Sequence, residues 1–368
     1  MHFLGKSAYF SARVVFKVAC VRYGAQPRRL LDGGQSSFMG YEVLGVPSSK
    51  IVSRSISRNV VSEGSRKYVP RRTLMYVPGH DLKKLRKIPI LGVDCAVLEC
   101  EDGVALNKKS EARENIRMVL DELKEVKGVD IAVRVNSVGS QLLEEDLRVI
   151  LTAENRPSTV LLPKTDTVKD IVQFTDCLRS ILKDSALPSY CPRLITYVES
   201  AEGLINMKDI LRRAETFSHE GIYHLDGVVF GADDFYADIG AVKTLDAAEL
   251  TYVRQKIVTV AKAFRIQAID MVFTDYKDSV GLQLQSEQGA RNGYTGKQII
   301  HPNQIPIVCK AFTPSAERVE WATQLIAAFE KHQESGEGAF TFQGHMVDMP
   351  LLLQAKNVIQ TIKNVHKA

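Results

Sequence analysis

The chain has no apolar run approaching the roughly 20 residues needed to cross a bilayer, which excludes a helical membrane-spanning protein. It has no CxxC and no HxxxH pair, and His219 and His224 are spaced wrongly for one helical face, so zinc finds no ligand pattern. Its six cysteines are Cys20, Cys95, Cys100, Cys177, Cys191 and Cys309; setting aside the first 65 residues leaves five, an odd number. That count favours reduced thiols in a reducing compartment over a disulfide framework. Cys95 and Cys100 fall in one apolar strand pattern at an odd separation, so they should point to opposite faces. No glycine-rich fingerprint follows the first predicted strand, which argues against an open, doubly wound dinucleotide-binding sheet. The chain also lacks a basic body. The net charge is +5, but residues 1–65 hold nine Lys/Arg against three Asp/Glu, and the rest holds 39 against 40. A nucleic-acid reading built on the overall charge is excluded.

What the leader has little of is acid. Lys6, Arg13, Lys17, Arg22, Arg28 and Arg29 all precede the first carboxylate, Asp32. Phe3, Phe10, Val14, Val18 and Val21 recur at intervals near three or four, giving an apolar helical stripe beside a basic one. Serines follow up to about Ser65. Arg-rich, Ser-rich and acid-poor composition is the pattern of a mitochondrial transit peptide, and 1–65 is set apart from the fold.

From residue 71 apolar runs alternate with amphipathic segments. Strands are expected at 72–78, 94–100, 131–136, 159–164, 194–200, 226–232, 267–273 and 296–302. Helical patterns lie near 107–125, 141–153, 167–183, 203–214, 246–264 and 280–292, with a short one at 80–87. Eight alternating units between 71 and 312 match a TIM (β/α)₈ barrel, typically about 250 residues. Residues 313–368 change texture: a helix at 315–333 with Trp321, Leu325 and Phe329 four apart, an alternating hairpin, and a closing helix. This C-terminal extension is too short for an independent core and should pack on the barrel or on a neighbouring subunit.

A barrel places its chemistry at the carboxyl ends of the strands. There the sequence puts Tyr76, Glu99, Glu101, Asp102, Arg134, Asn136, Lys164, Glu199, Asp233, Asp234 and His301. Glu199 and Asp234 each close a β-branched run. Two carboxylates aimed into one mouth suit a hard cation that keeps open positions, Mg²⁺ above all. The duller alternative is a pair of helix N-caps. Arg134 can meet a substrate carboxylate with its guanidinium fork or form a structural ion pair with Glu101 or Asp102. Lys83 and Lys87 share a helical face and can approach phosphates together, or they belong to a solvated charge run with Lys84 and Arg86.

VPGHDLKKLRK, VLECEDGV, RVN, LLPK, VESAEG, VFGADDF, TGKQIIHPNQ and AFTFQGHMVDMP occur in that order from about residue 71 to the C-terminus. Together they resemble the citrate lyase β-subunit-like family of acyl-CoA-dependent carbon–carbon lyases. The sequence departs from the family pattern at His80, Glu99 and Asp233, where Asn, Asp and Glu are usual. The resemblance implies Mg²⁺ bound by Glu199 and Asp234, and Arg134 over the substrate oxygens. It implies coenzyme A contacts from Tyr76, Lys83 and Lys87, and substrate contacts from Ile300 and His301. It also implies a catalytic Asp348 that reaches into the active site of an adjacent subunit of a homotrimer in the mitochondrial matrix. The expected reaction is cleavage of citramalyl-CoA to acetyl-CoA and the 2-oxo acid pyruvate. Malyl-CoA or citryl-CoA cleavage and condensation of glyoxylate with acetyl-CoA are its nearest alternatives, and a non-catalytic CoA-binding protein is a further one.

Overall fold

Eight short runs of β-branched and apolar residues pair in sequence order and close on themselves. In the computed structural model, residues 68–123, 126–185, 189–333 and 340–366 are described, and the leader lies outside them. The strands are β1 (Thr73–Pro78), β2 (Cys95–Glu99), β3 (Asp130–Arg134), β4 (Thr159–Leu162), β5 (Arg193–Val198), β6 (His224–Phe230), β7 (Gln267–Asp270) and β8 (Gly296–Ile299). All neighbours are parallel, and β8 pairs with β1 to complete the barrel. Around it run α1 (Leu82–Leu85), α2 (Lys109–Glu122), α3 (Leu143–Ile150), α4 (Val168–Asp184), α5 (Ala201–His219), α6 (Ala232–Ile239), α7 (Thr251–Ala263), α8 (Ser279–Asn292) and α9 (Ile305–Ala311).

Side chains alternate across each strand, so every second residue enters the barrel. Leu74, Cys95, Val97, Ala132, Leu161, Ile195, Tyr197, Val229 and Ile269 fill the interior, with Tyr76 packed against them. The intervening residues, such as Ala96, Leu98, Val133, Val160 and Val228, join the layer under the helices. Cys95 and Cys100 accordingly divide between the two cores, as their odd spacing requires, and both are buried. Cys177, Cys191 and Cys309 are only half-buried.

The helices follow from the same patterning at a longer period. In α4, Ile171, Phe174, Leu178 and Ile181 recur every three or four residues and are buried. Thr167 and Asp170 close its first turn as a capping box, so two backbone N–H groups that would be orphaned are satisfied.

Three expectations change. The short helix expected at 80–87 is one turn, Leu82–Leu85, followed by a 3₁₀ turn at Ile88–Ile90. Pro89 lacks an N–H, which stops the α-helix there. The helices α6 and α9 fall in stretches for which no helix was expected. The C-terminal extension does form a small cluster of its own. There α10 (Ala316–Gln333), the hairpin β9 (Phe340–Phe342) and β10 (His345–Val347), and α11 (Met349–His366) gather Ala322, Leu325, Phe329, Val347, Leu352 and Ala355. The carboxyl half of α11 meets the amino-terminal rim of the barrel. Val358, Thr361 and Val365 line a cavity of about 320 Å³ there with Tyr68, Pro70 and Tyr294.

Candidate active site

The parity that fills the interior also selects what stands at the mouth. Continuing inward from Cys95 and Val97 leads to Glu99, from Ala132 to Arg134, and from Ile195 and Tyr197 to Glu199. Glu99 and Arg134 are register partners on neighbouring strands, and Arg134 Nε donates to Glu99 Oε2 at 2.6 Å. Arg134 Nη1 lies 3.2 Å from Glu101 Oε2. Arg134 therefore pairs with Glu99 and Glu101, not with Asp102. Burial works against its charge, but the carboxylates hold its pKa well above the ordinary value. Its guanidinium also sits 4.7 Å from the ring centre of Tyr76 and 5.8 Å from that of Tyr197. A cation clamped by two acids and two aromatic faces holds one orientation.

Lys164 takes up the remaining acid at this rim. Its Nζ donates to Glu101 Oε1 at 2.5 Å and to Asp102 at 3.0 Å. Its backbone is left-handed, with φ 48°, and its N–H donates to Glu199 Oε2 at 2.6 Å. Lys109 below it binds the carbonyls of Cys100 and Glu101 and the amide oxygen of Asn136, which locks the β2–α2 loop.

Glu99, Glu101 and Asp102 are thus each paired with a cation. Glu199 and Asp234 are not: among the described residues neither has an ion-pair partner. Burial pushes the Glu199 carboxyl up to about 8, against the opposing pull of the Lys164 N–H. Burial also raises Asp234, with Lys164 opposing. The Asp234 charge adds to the rise at Glu199, and Asp102 and Asp233 add to that at Asp234. The capping alternative does not hold for either. The N-cap of α5 is Ser200, whose hydroxyl accepts from Gly203 N, and that of α6 is Gly231. Asp234 stands in the first turn of α6, not in a loop, where the helix dipole favours negative charge. A Cβ on Gly231 would lie 2.5 Å from Glu199 Oε1, so the missing side chain lets β6 seat against the carboxylate. The donor set fits Mg²⁺, an oxygen-seeking ion that retains waters: two carboxylates that among the described residues lack a cation partner, Glu199 accepting only the Lys164 N–H on Oε2. Among the described residues no group of three or more His, Cys, Asp or Glu side chains is placed to hold an ion alone. The remaining positions would belong to water and substrate.

The other expected site residues divide. Of the basic run after β1, Lys84 pairs with Asp81 and Arg86 with Glu122. Lys83 and Lys87 are exposed, and among the described residues no carboxylate lies within ion-pair distance of either. Tyr76 directs its hydroxyl inward, 2.6 Å from the Tyr197 hydroxyl and 2.8 Å from Gln298 Oε1. Ile300 is exposed at the end of β8. His301 caps the following turn by accepting from Asn303 N, and it stacks on Tyr276 with ring centres 4.5 Å apart. Asp348 is exposed and caps α11, accepting from Leu351 N at 3.2 Å. It lies ten residues before Val358, about 15 Å along the helix from the contact with the amino-terminal rim. Tyr197, Gln298 and Gly231 escaped the sequence reading. Strand parity was the signal that could have found the first two.

Fold and site together describe an α/β barrel with an oriented guanidinium at its mouth, beside two carboxylates that among the described residues lack a cation partner. That arrangement fits an enzyme acting on oxyanions with a divalent cation. A family model described as HpcH/HpaI aldolase/citrate lyase matches residues 72–302, and the chain belongs to that family. It is 49% identical over 298 residues to the mitochondrial citramalyl-CoA lyase of Homo sapiens, covering 81% of this chain and 87% of that protein. It is 28% identical over 296 residues to the citrate lyase subunit beta of Escherichia coli K12, covering 80% and 94%. Among solved structures it resembles CitE from Mycobacterium tuberculosis in complex with magnesium, acetoacetate and coenzyme A. That likeness has 27% identity and a TM-score of 0.61, over 80% of this chain and 98% of that one.

Proposed function

We propose that this protein is a mitochondrial, Mg²⁺-dependent lyase that cleaves citramalyl-CoA to acetyl-CoA and pyruvate. The observation that carries the reading is the pair of uncompensated carboxylates, Glu199 and Asp234, beside a clamped Arg134, in a chain 49% identical to a citramalyl-CoA lyase. The relatives' mitochondrial location agrees with the basic, acid-poor composition of the leader.

Cleavage requires a base to take the proton of the tertiary hydroxyl; charge builds on that oxygen, beside the carboxylate oxygens, and as it becomes the ketone of pyruvate the electrons of the carbon–carbon bond pass into the thioester enolate. Glu199 and Asp234 would hold the metal, which would supply Lewis-acid stabilisation of those oxygens. Arg134 faces the same charge. Glu99 and Glu101 occupy its Nε and Nη1, and Nη2 has no carboxylate partner among the described residues. A guanidinium already oriented reorganises little when charge develops. Lys83 and Lys87, free of carboxylates, hold coenzyme A phosphates as point charges. Tyr76, Ile300 and His301 line the path of the thioester arm and the acyl group. Asp348 delivers the proton that the enolate carbon takes up to become the acetyl methyl group. Its position on an extension anchored at the opposite rim supports service to a neighbouring subunit, in a homotrimer.

Turnover of citramalyl-CoA, malyl-CoA and citryl-CoA, each with Mg²⁺ and with EDTA, tests the reading. Citramalyl-CoA should turn over fastest and only with the metal. A methyl group discriminates by about 1–3 kcal/mol, so slower turnover of malyl-CoA is expected alongside it. CoA binding without product from any thioester would leave a binding protein instead.

A further inference from the structure

Below the guanidinium of Arg134 the barrel interior is not apolar. Tyr76, Tyr197 and Gln298 point inward from β1, β5 and β8 and join in one buried network. A tyrosine hydroxyl carries its single proton at neutral pH, so each of the two donates once. This gives the network a direction. Tyr76 donates to Gln298 Oε1 at 2.8 Å, so the Tyr197 hydroxyl, 2.6 Å away, must donate to the Tyr76 oxygen. With Oε1 so occupied, Gln298 Nε2 donates to the carbonyls of Phe230 at 2.8 Å and Asp270 at 3.1 Å. Every proton and lone pair needed to fix the amide's orientation is accounted for.

The two ends of this chain of bonds lead to the two halves of the site. One end is the tyrosine pair, whose rings form the floor under Arg134. The other end is Phe230 O, one residue before Gly231, which packs on Glu199 and starts the helix that carries Asp234. No other side chain among the described residues bonds both to the aromatic floor and to β6, the strand that leads into the helix bearing Asp234.

We propose that Gln298 is a positioning residue that couples the metal-binding carboxylates to the Arg134 guanidinium and sets the gap between them, with Tyr197 serving the Arg134 side alone. The inference deepens the lyase reading and rests on it. In that reaction the departing oxo acid must reach the cation and the guanidinium at once. A shift of about 1 Å between two such groups can cost 100-fold in rate.

Gln298→Leu keeps the bulk and removes both donors and the acceptor; Gln298→Glu retains the acceptor for Tyr76 and loses both donors. Tyr197→Phe removes one hydroxyl at the far end. Mn²⁺ binding is measured by calorimetry on each protein, kcat and KM with citramalyl-CoA, and melting temperature by circular dichroism. Both Gln298 variants should bind Mn²⁺ at least fivefold more weakly and lose at least 30-fold in kcat, with KM within threefold; these are order-of-magnitude expectations for misplaced groups. Tyr197→Phe should lose roughly tenfold in kcat with Mn²⁺ affinity unchanged. Mn²⁺ affinity and kcat both within twofold of wild type in the Gln298 variants would overturn the proposal. So would equal losses in Mn²⁺ affinity for Tyr197→Phe and Gln298→Leu tracking melting temperature, which would mean general loosening of the barrel. Failure of the wild type to cleave any thioester would reject the lyase reading, and the Mn²⁺ comparison would still decide the coupling.

Discussion

Lys297 shows how one residue can answer to two neighbours at once. It alternates with Gln298 on β8, so it points out of the barrel while Gln298 points in. It is fully buried, donating to Met271 O at 2.8 Å and Gln285 Oε1 at 2.6 Å, with Asp270 3.9 Å away. Asp270 is already engaged by Arg254 at 2.6 Å. Burial lowers the Lys297 pKa to about 8, and Asp270 only partly offsets it. The unfolded chain therefore holds this proton up to about 10.5, while the folded chain releases it from about 8. Between those values the unfolded state binds more protons, so stability rises with pH. Below about 8 the cost of the buried charge is present in full. Urea unfolding between pH 7 and 10.5 should show a stability gain of at most about 3 kcal/mol in wild type relative to Lys297→Met. Identical pH profiles in the two proteins would show that this lysine is not strained.

At the scale of elements, α11 carries two roles on one side chain. Asp348 caps the helix through Leu351 N, and the proposed chemistry asks it for a proton. The roles separate by substitution. Asp348→Asn keeps a capping oxygen and cannot deliver the proton, so turnover should fall by at least 1000-fold while melting temperature stays within a degree or two. Asp348→Ala should lose the same activity and about 1 kcal/mol of stability besides. Near-normal turnover in the Asn variant would reduce Asp348 to a cap. The β1–α1 connection teaches a related lesson. Lys83 lies in a single α-turn and Lys87 at the start of the 3₁₀ turn that follows, because Pro89 ends the helix. Their freedom from carboxylates depends on Asp81 and Glu122, one of which lies on α2. The spacing of the run was legible; which of its cations stay unpaired was not.

At the scale of the whole molecule, the extension and the mouth lie toward opposite rims of one barrel. The carboxyl half of α11 borders the amino-terminal rim, and Glu199 and Asp234 stand at the carboxyl-terminal one. If Asp348 serves a neighbour, two defective proteins should complement. Co-expressed in equal amounts, Glu199→Gln and Asp348→Asn should assemble sites with an intact mouth from one copy and an intact acid from the other. Random mixing predicts about a quarter of wild-type turnover per site, although each protein alone is inactive. Mixed oligomers as inactive as either parent would place Asp348 and the mouth in the same subunit, or remove Asp348 from the reaction.

Eight strands, their order and the carboxyl-end location of Glu99, Arg134, Glu199 and Asp234 were determined by sequence alone, because period-two burial and strand–helix alternation are local and repeat eight times. Whether an acid at a strand end is spent or free depends on which strand lies beside it. Register brings Glu99 opposite Arg134, the left-handed turn at Lys164 reaches Glu101 and Asp102, and among the described residues no cation is left to pair with Glu199 and Asp234. Gln298 is the clearest case. It reads as one polar residue in a buried strand, and only the pairing of β8 with β1 on one side and with β7, next to β6, on the other brings Tyr76, Asp270 and Phe230 within its reach. Long-range pairing decides such partners, and no local pattern encodes it.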